Sequence, residues 1–200
     1  VLLVNQFASL ADGSPYSLNA VDDGDTTLYA LVGQRVTVRE LLRRMITRSS
    51  NLATNQLIAL VGADRVTATA RGLGAAHMSV LRGVEDQKAF DKGMINTTTS
   101  ADLAILLAGI ENGKVLSGAS SSEMRDILLA QEFNEKIPAG LPPGTRVAHK
   151  TGEITAVSHD AAIVYPTGRK PYVLVVLTRG IQDGKASSAL IADISHIVWD

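Results

Sequence analysis

The sequence predicts an α+β fold, an antiparallel sheet carrying helices, on three observations. Apolar residues recur at helical spacing through the middle of the chain from Val38 onward. Strand-like runs are confined to its last third. The two classes do not alternate as βαβ units would. A chain of 200 residues, 46% of them hydrophobic, can bury a sizeable core, and one compact domain over residues 1–200 is the expected organisation.

The opening segment, through Ser14-Pro15 and Asp22-Asp23-Gly24-Asp25, is rich in turn formers and reads as an irregular connection. Thr37-Val38-Arg39-Glu40 is a capping box, so a helix should start there, with Val38, Leu41, Leu42 and Met45 on one face. Polar Thr47 to Asn51 interrupts before Leu52, Leu57, Ile58 and Val61 resume, giving helix, break, helix. Gly62 can close the second helix, and a third should run from Ala63 to Arg71. Further helices are expected near Thr99, with Asp102 favouring its start, and at Ser120, where Ser120 to Glu123 reads as another capping box. Beyond Pro138 to Gly144 the pattern changes to strands: Val147 to Thr151, Ala161 to Tyr165 and Tyr172 to Thr178. The last two join through Pro166 to Lys170 as an antiparallel hairpin. Ala186 to Trp199 closes the chain as a helix, with Leu190, Ile191, Ile194 and Val198 in register and Trp199 as a core anchor.

Composition excludes several functions. Nineteen basic and 20 acidic residues leave a net charge of −1, which gives no electrostatic reason to expect nucleic acid or an anionic membrane. No apolar run reaches the length of a membrane span. The chain has no cysteine and its four histidines are scattered, so neither a metal nor a cofactor is expected. Composition leaves the compartment open, because an exported protein would already have lost its signal peptide.

Two short motifs could carry chemistry. Ser49-Ser50-Asn51 lies at the break between two apolar helices, where a hydroxyl and an amide can face a cleft; taken alone, it reads as a helix N-cap. Lys150-Thr151-Gly152 offers an ammonium, a hydroxyl and a close backbone approach, which suits a carboxylate-bearing ligand; alone, it reads as a solvated strand edge. Ser158-His159-Asp160 invites a Ser-His-Asp reading, but neighbours on a strand face opposite ways, so a structural role is expected. His77, His149 and His196 are expected to be packed or surface histidines.

In combination and order, the two motifs resemble the S-D-N and K-T-G motifs of class A β-lactamases and penicillin-binding proteins. The likeness extends through Thr37 to Leu42 and Ile46 to Asn55, to Asn96-Thr97-Thr98-Thr99-Ser100-Ala101 before a helix, and to the final hairpin and helix. It implies a β-lactamase/DD-peptidase-like fold and a serine acyl-transfer enzyme acting on a small β-lactam or peptidoglycan-like substrate. It also implies export to the periplasm or the medium.

The resemblance assigns roles residue by residue. Ser49 would relay a proton to the leaving nitrogen, and Lys150 would ease that transfer. Asn51 would hold the substrate's side-chain amide, while Lys150 and Thr151 would bind its carboxylate. Gly152 would let the substrate approach the strand, and the backbone N–H of Glu153 would be one of two oxyanion donors. On the loop from Arg82 to Ala89, Glu85 would activate the deacylating water; an exposed carboxylate beside Asp86 is the alternative reading.

The chain departs from the family pattern at three places. Ser50 replaces the aspartate of S-D-N, which mainly braces the loop. If Glu85 is the family's glutamate, Ala89 stands where the family has an asparagine four residues later. No lysine has a serine three positions before it, so S-x-x-K is absent. The sequence is therefore expected to be a fragment whose nucleophile helix comes from a preceding or companion segment. Three readings stay open: a β-lactamase; a penicillin-binding DD-peptidase or esterase that releases its product slowly; and a binding-only or inactive homologue. A Ser49–Lys150 dyad is a further variant.

Overall fold

The structure, a computed structural model, describes residues 1–114 and 117–200. It divides into two compact units, Val1–Thr99 and Ser100–Asp200.

In the first unit, two short strands, β1 (Phe7–Ala8) and β2 (Pro15–Tyr16), pair antiparallel. Two 3-10 segments follow, Ala20–Asp22 and Thr26–Leu31, then helices α1 (Val38–Thr47), α2 (Asn51–Val61), α3 (Ala63–Gly72) and α4 (Gln87–Asp91). The helix–break–helix reading holds. Thr37 caps α1 by accepting from the Glu40 N–H at 3.1 Å, while the Glu40 carboxylate pairs with Arg44 one turn on. Gly62 ends α2 at φ +85°, a conformation glycine adopts without strain. Leu3, Leu18, Leu28, Leu41, Leu52, Ala53 and Leu57 form the core, so the irregular opening is packed against α1 and α2. The five-residue α4 is too short to show a periodicity, and the sequence does not predict it.

The second unit holds α5 (Ser100–Glu111), α6 (Gly118–Leu129), a 3-10 segment (Ile137–Gly140), strands β3 (Arg146–Ile154), β4 (Val157–Tyr165) and β5 (Tyr172–Arg179), and α7 (Gly184–Trp199). The strands form one antiparallel sheet in the order β3-β4-β5. Four consecutive buried residues, Ala161 to Val164, show that the central strand is covered on both faces. Ile191 of α7 packs with Ala162, Val164 and Val176 in one core, against which Trp199 is half-buried. One expectation is corrected. The cap of α6 is Ser117, whose hydroxyl accepts from the Ser120 N–H, so Ser120 already lies in the first turn and cannot be the cap. Among the described residues no helix is long and apolar enough to cross a membrane.

Candidate functional site

In the first unit, the break between α1 and α2 presents Ser49 and Asn51. Ser49 has φ +56°, a left-handed conformation that costs a non-glycine residue about 1–3 kcal/mol and persists only where neighbours enforce it. Ser50 is fully buried and caps α2, its hydroxyl accepting from Ala53 N–H at 3.2 Å. The capping role read from the motif alone therefore belongs to Ser50 rather than to either neighbour. Asn51 donates its side-chain amide to Glu85 Oε1 at 2.6 Å, so the fold joins two candidate residues 34 positions apart.

Glu85 sits at the tip of its loop with φ +60°. The residue is exposed overall, yet partial burial of its carboxyl raises its pKa above the ordinary carboxylate value. The Asn51 hydrogen bond opposes this shift, and the charges of Asp23 and Asp22 add to it. A raised carboxyl is a stronger base once ionised, as general-base work requires.

Three polar residues that the sequence reading did not single out fix this loop. Asn55, one helical turn beyond Asn51, is buried; its carboxamide accepts from Val84 N–H at 2.7 Å and donates to Val84 C=O at 3.0 Å. Asp86 is buried and accepts from Ser9 Oγ at 2.7 Å and Leu10 N–H at 2.8 Å, tying the loop to the opening hairpin. Burial acts to raise the Asp86 carboxyl, but its hydrogen bonds and Arg82 prevail and hold its pKa down. Asn96 closes the loop's neck, accepting from Leu81 N–H and Arg82 N–H and donating to Arg82 C=O. Ala89, four residues after Glu85, is buried within α4 and offers no side-chain polar group.

In the second unit, β3 carries Lys150, Thr151, Gly152 and Glu153. It is the sheet's edge strand, with one row of backbone groups unpaired within that sheet, which suits an extended ligand. Lys150 is not a solvated edge lysine. Burial lowers its pKa to about 8, with Lys136 adding to the shift and Asp160 opposing it. Thr151 is buried, and a Cβ at Gly152 would meet only His159, at ordinary contact distance.

Lys136 is fully buried, and its ammonium donates to Glu153 Oε2 at 3.1 Å. Asp160 does not serve His159. It pairs across the strands with buried His149 at 3.0 Å and accepts from Ile137 N–H at 3.0 Å, pinning the 3-10 segment that follows Lys136. The His149 ring also meets Asn134 Oδ1 at 3.3 Å. This expectation of a structural role for Ser158-His159-Asp160 holds, although the partner lies on another strand. Among the described residues no cluster of three or more His, Asp or Glu is placed to hold a metal ion.

Residues 8–200 match a family described as the beta-lactamase enzyme family. Beta-lactamase AST-1 of Nocardia asteroides is 34% identical over 198 residues, covering 96% of this chain and 60% of the relative. A structure of a PBP-A point mutant, described as an acyl-enzyme complex with penicillin-G, is 32% identical with a TM-score of 0.75, covering 84% of this chain and 62% of that one. An ancestral class A beta-lactamase structure is 29% identical with a TM-score of 0.79, covering 98% and 75%. The chain spans about three fifths of the length of its curated relatives.

Proposed function

We propose, from the premise that this chain belongs to the beta-lactamase enzyme family, that it contributes to a serine hydrolase that opens β-lactam rings through an acyl-enzyme. The 2.6 Å contact between Asn51 and Glu85 carries the reading, because it sets an amide that could orient substrate beside a carboxyl that could activate water. In acylation a serine oxygen bonds to the lactam carbonyl carbon, the carbonyl–nitrogen bond breaks, and Ser49 passes a proton to the departing nitrogen and regains the one that the serine hydroxyl gives up. Thr151 and Lys150 hold the substrate carboxylate, Gly152 lets the substrate approach the strand backbone closely, and Glu153 N–H donates to the oxyanion. Water then attacks the ester, giving its proton to Glu85 as the serine oxygen leaves and is reprotonated. The reading requires a serine nucleophile in an S-x-x-K motif, which residues 1–200 do not contain, and it sets the reaction in the periplasm or outside the cell.

A second reading, a penicillin-binding enzyme with slow release, is favoured by Ala89, which leaves Glu85 without the family's asparagine, and by the likeness to PBP-A. Intact-mass spectrometry before and after benzylpenicillin tests both. A transient adduct of one penicillin mass on a species containing this chain or its companion supports the β-lactamase, and a persistent one supports the penicillin-binding enzyme. No adduct refutes both. Glu85→Gln should prolong a transient adduct, and an unchanged lifetime removes Glu85 as the base.

A further inference from the structure

The Ser49–Asn51 turn is gripped by a loop that the sequence presents only as turn formers, Asp22-Asp23-Gly24-Asp25. Asp23 is buried, and its Oδ2 accepts from Leu52 N–H at 2.9 Å and from the Tyr29 hydroxyl at 2.9 Å. Its Oδ1 accepts from Asp25 N–H at 2.8 Å. A Cβ on Gly24 would lie 2.2 Å from the Arg48 carbonyl oxygen and 3.4 Å from that of Ser49, so the loop backbone lies directly on the backbone of the turn. Asp25 fixes the other side, pairing with Arg44 of α1 at 2.6 Å and with Arg48 at 3.6 Å. The loop thus holds the end of α1 and the start of α2, the two anchors that enforce the left-handed Ser49.

The geometry points to Asp23 as a positioning residue for the proposed site, holding the first turn of α2 so that Ser49 stays in its left-handed conformation and Asn51 reaches Glu85. This rests on the β-lactamase-type reading only for what the turn does. Asp23 takes a donor at the helix start that an N-cap side chain could take itself, since a cap can accept from the second or third residue of the helix. Ser50 has one side-chain oxygen and spends it on Ala53 N–H, the third, so Leu52 N–H, the second, falls to Asp23. An aspartate at position 50 would have an oxygen for each.

The test is made on the full chain by NMR, without any turnover. Two quantities are followed: hydrogen-exchange protection of the Leu52 amide, and the response of the Asn51 side-chain amide as Glu85 titrates. Glu85 is faced by Asn51 and feels Asp22 and Asp23, and its charge reaches Tyr16 and Tyr29. Asp23→Ala should cost about tenfold to a hundredfold of Leu52 protection, as expected for a hydrogen bond to a charged group, and should abolish the Asn51 response. Adding Ser50→Asp to Asp23→Ala should restore both. Should Asp23→Ala not fold, Asp23→Leu, which fills the same space without any acceptor, is measured with and without Ser50→Asp. Either background overturns the assignment if Leu52 protection and the Asn51 response stay as in the parent, or if Ser50→Asp restores neither. Because no readout involves penicillin, the assignment and the enzymatic reading can fail separately.

Discussion

Asn55→Ala removes the tie between α2 and the Glu85 loop. The carboxamide makes three hydrogen bonds, to Val84 N–H at 2.7 Å, Val84 C=O at 3.0 Å and the Tyr16 hydroxyl at 3.2 Å. Neutral hydrogen bonds contribute about 0.5–1.5 kcal/mol each, so three are worth about 1.5–4.5 kcal/mol. Val84 is only half-buried, and water entering the gap recovers part of this, which places the expected loss at about 2 kcal/mol. For a chain of this size that lowers Tm by about 4–8 °C. Calorimetry measures the shift, and hydrogen exchange at Val84 localises it. Asn55→Asp sharpens the test: a carboxylate still accepts from Val84 N–H but opposes Val84 C=O, so it should be destabilised at neutral pH and partly recover in acid, when the carboxyl can donate. A Tm within about 1 °C of the parent, with Val84 exchange unchanged, would refute the claim that Asn55 holds this loop.

Lys136→Met should raise the titration midpoint of Lys150 from about 8, because it deletes a nearby like charge; an unchanged NMR midpoint would show that Lys136 does not reach Lys150. It should cost little stability, since apolar replacement of a buried ammonium is often neutral and Glu153 is left largely solvated. The lowered pKa of Lys150 also fixes a pH dependence. Below about pH 8 both states are protonated and the cost of burying the charge is fully present. Between about 8 and its ordinary 10.5 the unfolded chain binds more protons, so stability should rise with pH. Lys150→Met should flatten that slope in denaturant titrations, and an unaltered slope would contradict the assignment. Asp160→Ala should destabilise by about 3 kcal/mol or more, leaving buried His149 and Ile137 N–H without their acceptor; a loss under about 1 kcal/mol would show that the pair is dispensable.

The sequence made most of the elements legible because local signals agreed with the final packing. Thr37 caps α1 as its motif predicts, Leu52 and Leu57 are buried on α2 although Val61 at its end is exposed, and the run Tyr172 to Thr178 lies in β5. It failed where two signals lay one turn apart, as at Ser117 and Ser120, and where an element was too short to have a period, as in α4.

By itself the sequence determined the α+β class, the order of helices and strands, and the residues of the two motifs, because these depend on side-chain chemistry and on spacings within one element. Only the tertiary structure decided which groups the side chains at and beside the motifs meet within each unit. That Ser50 and not Asn51 spends its side chain on the cap was settled by which residue of the break is buried. That Glu85 meets Asn51, that buried Lys136 reaches Glu153, and that Asp160 belongs to His149 are contacts across 11 to 34 residues. No spacing rule reaches that far, because which polar groups meet depends on how the apolar faces pack, and the cost of leaving a buried donor or acceptor unpaired selects the partners.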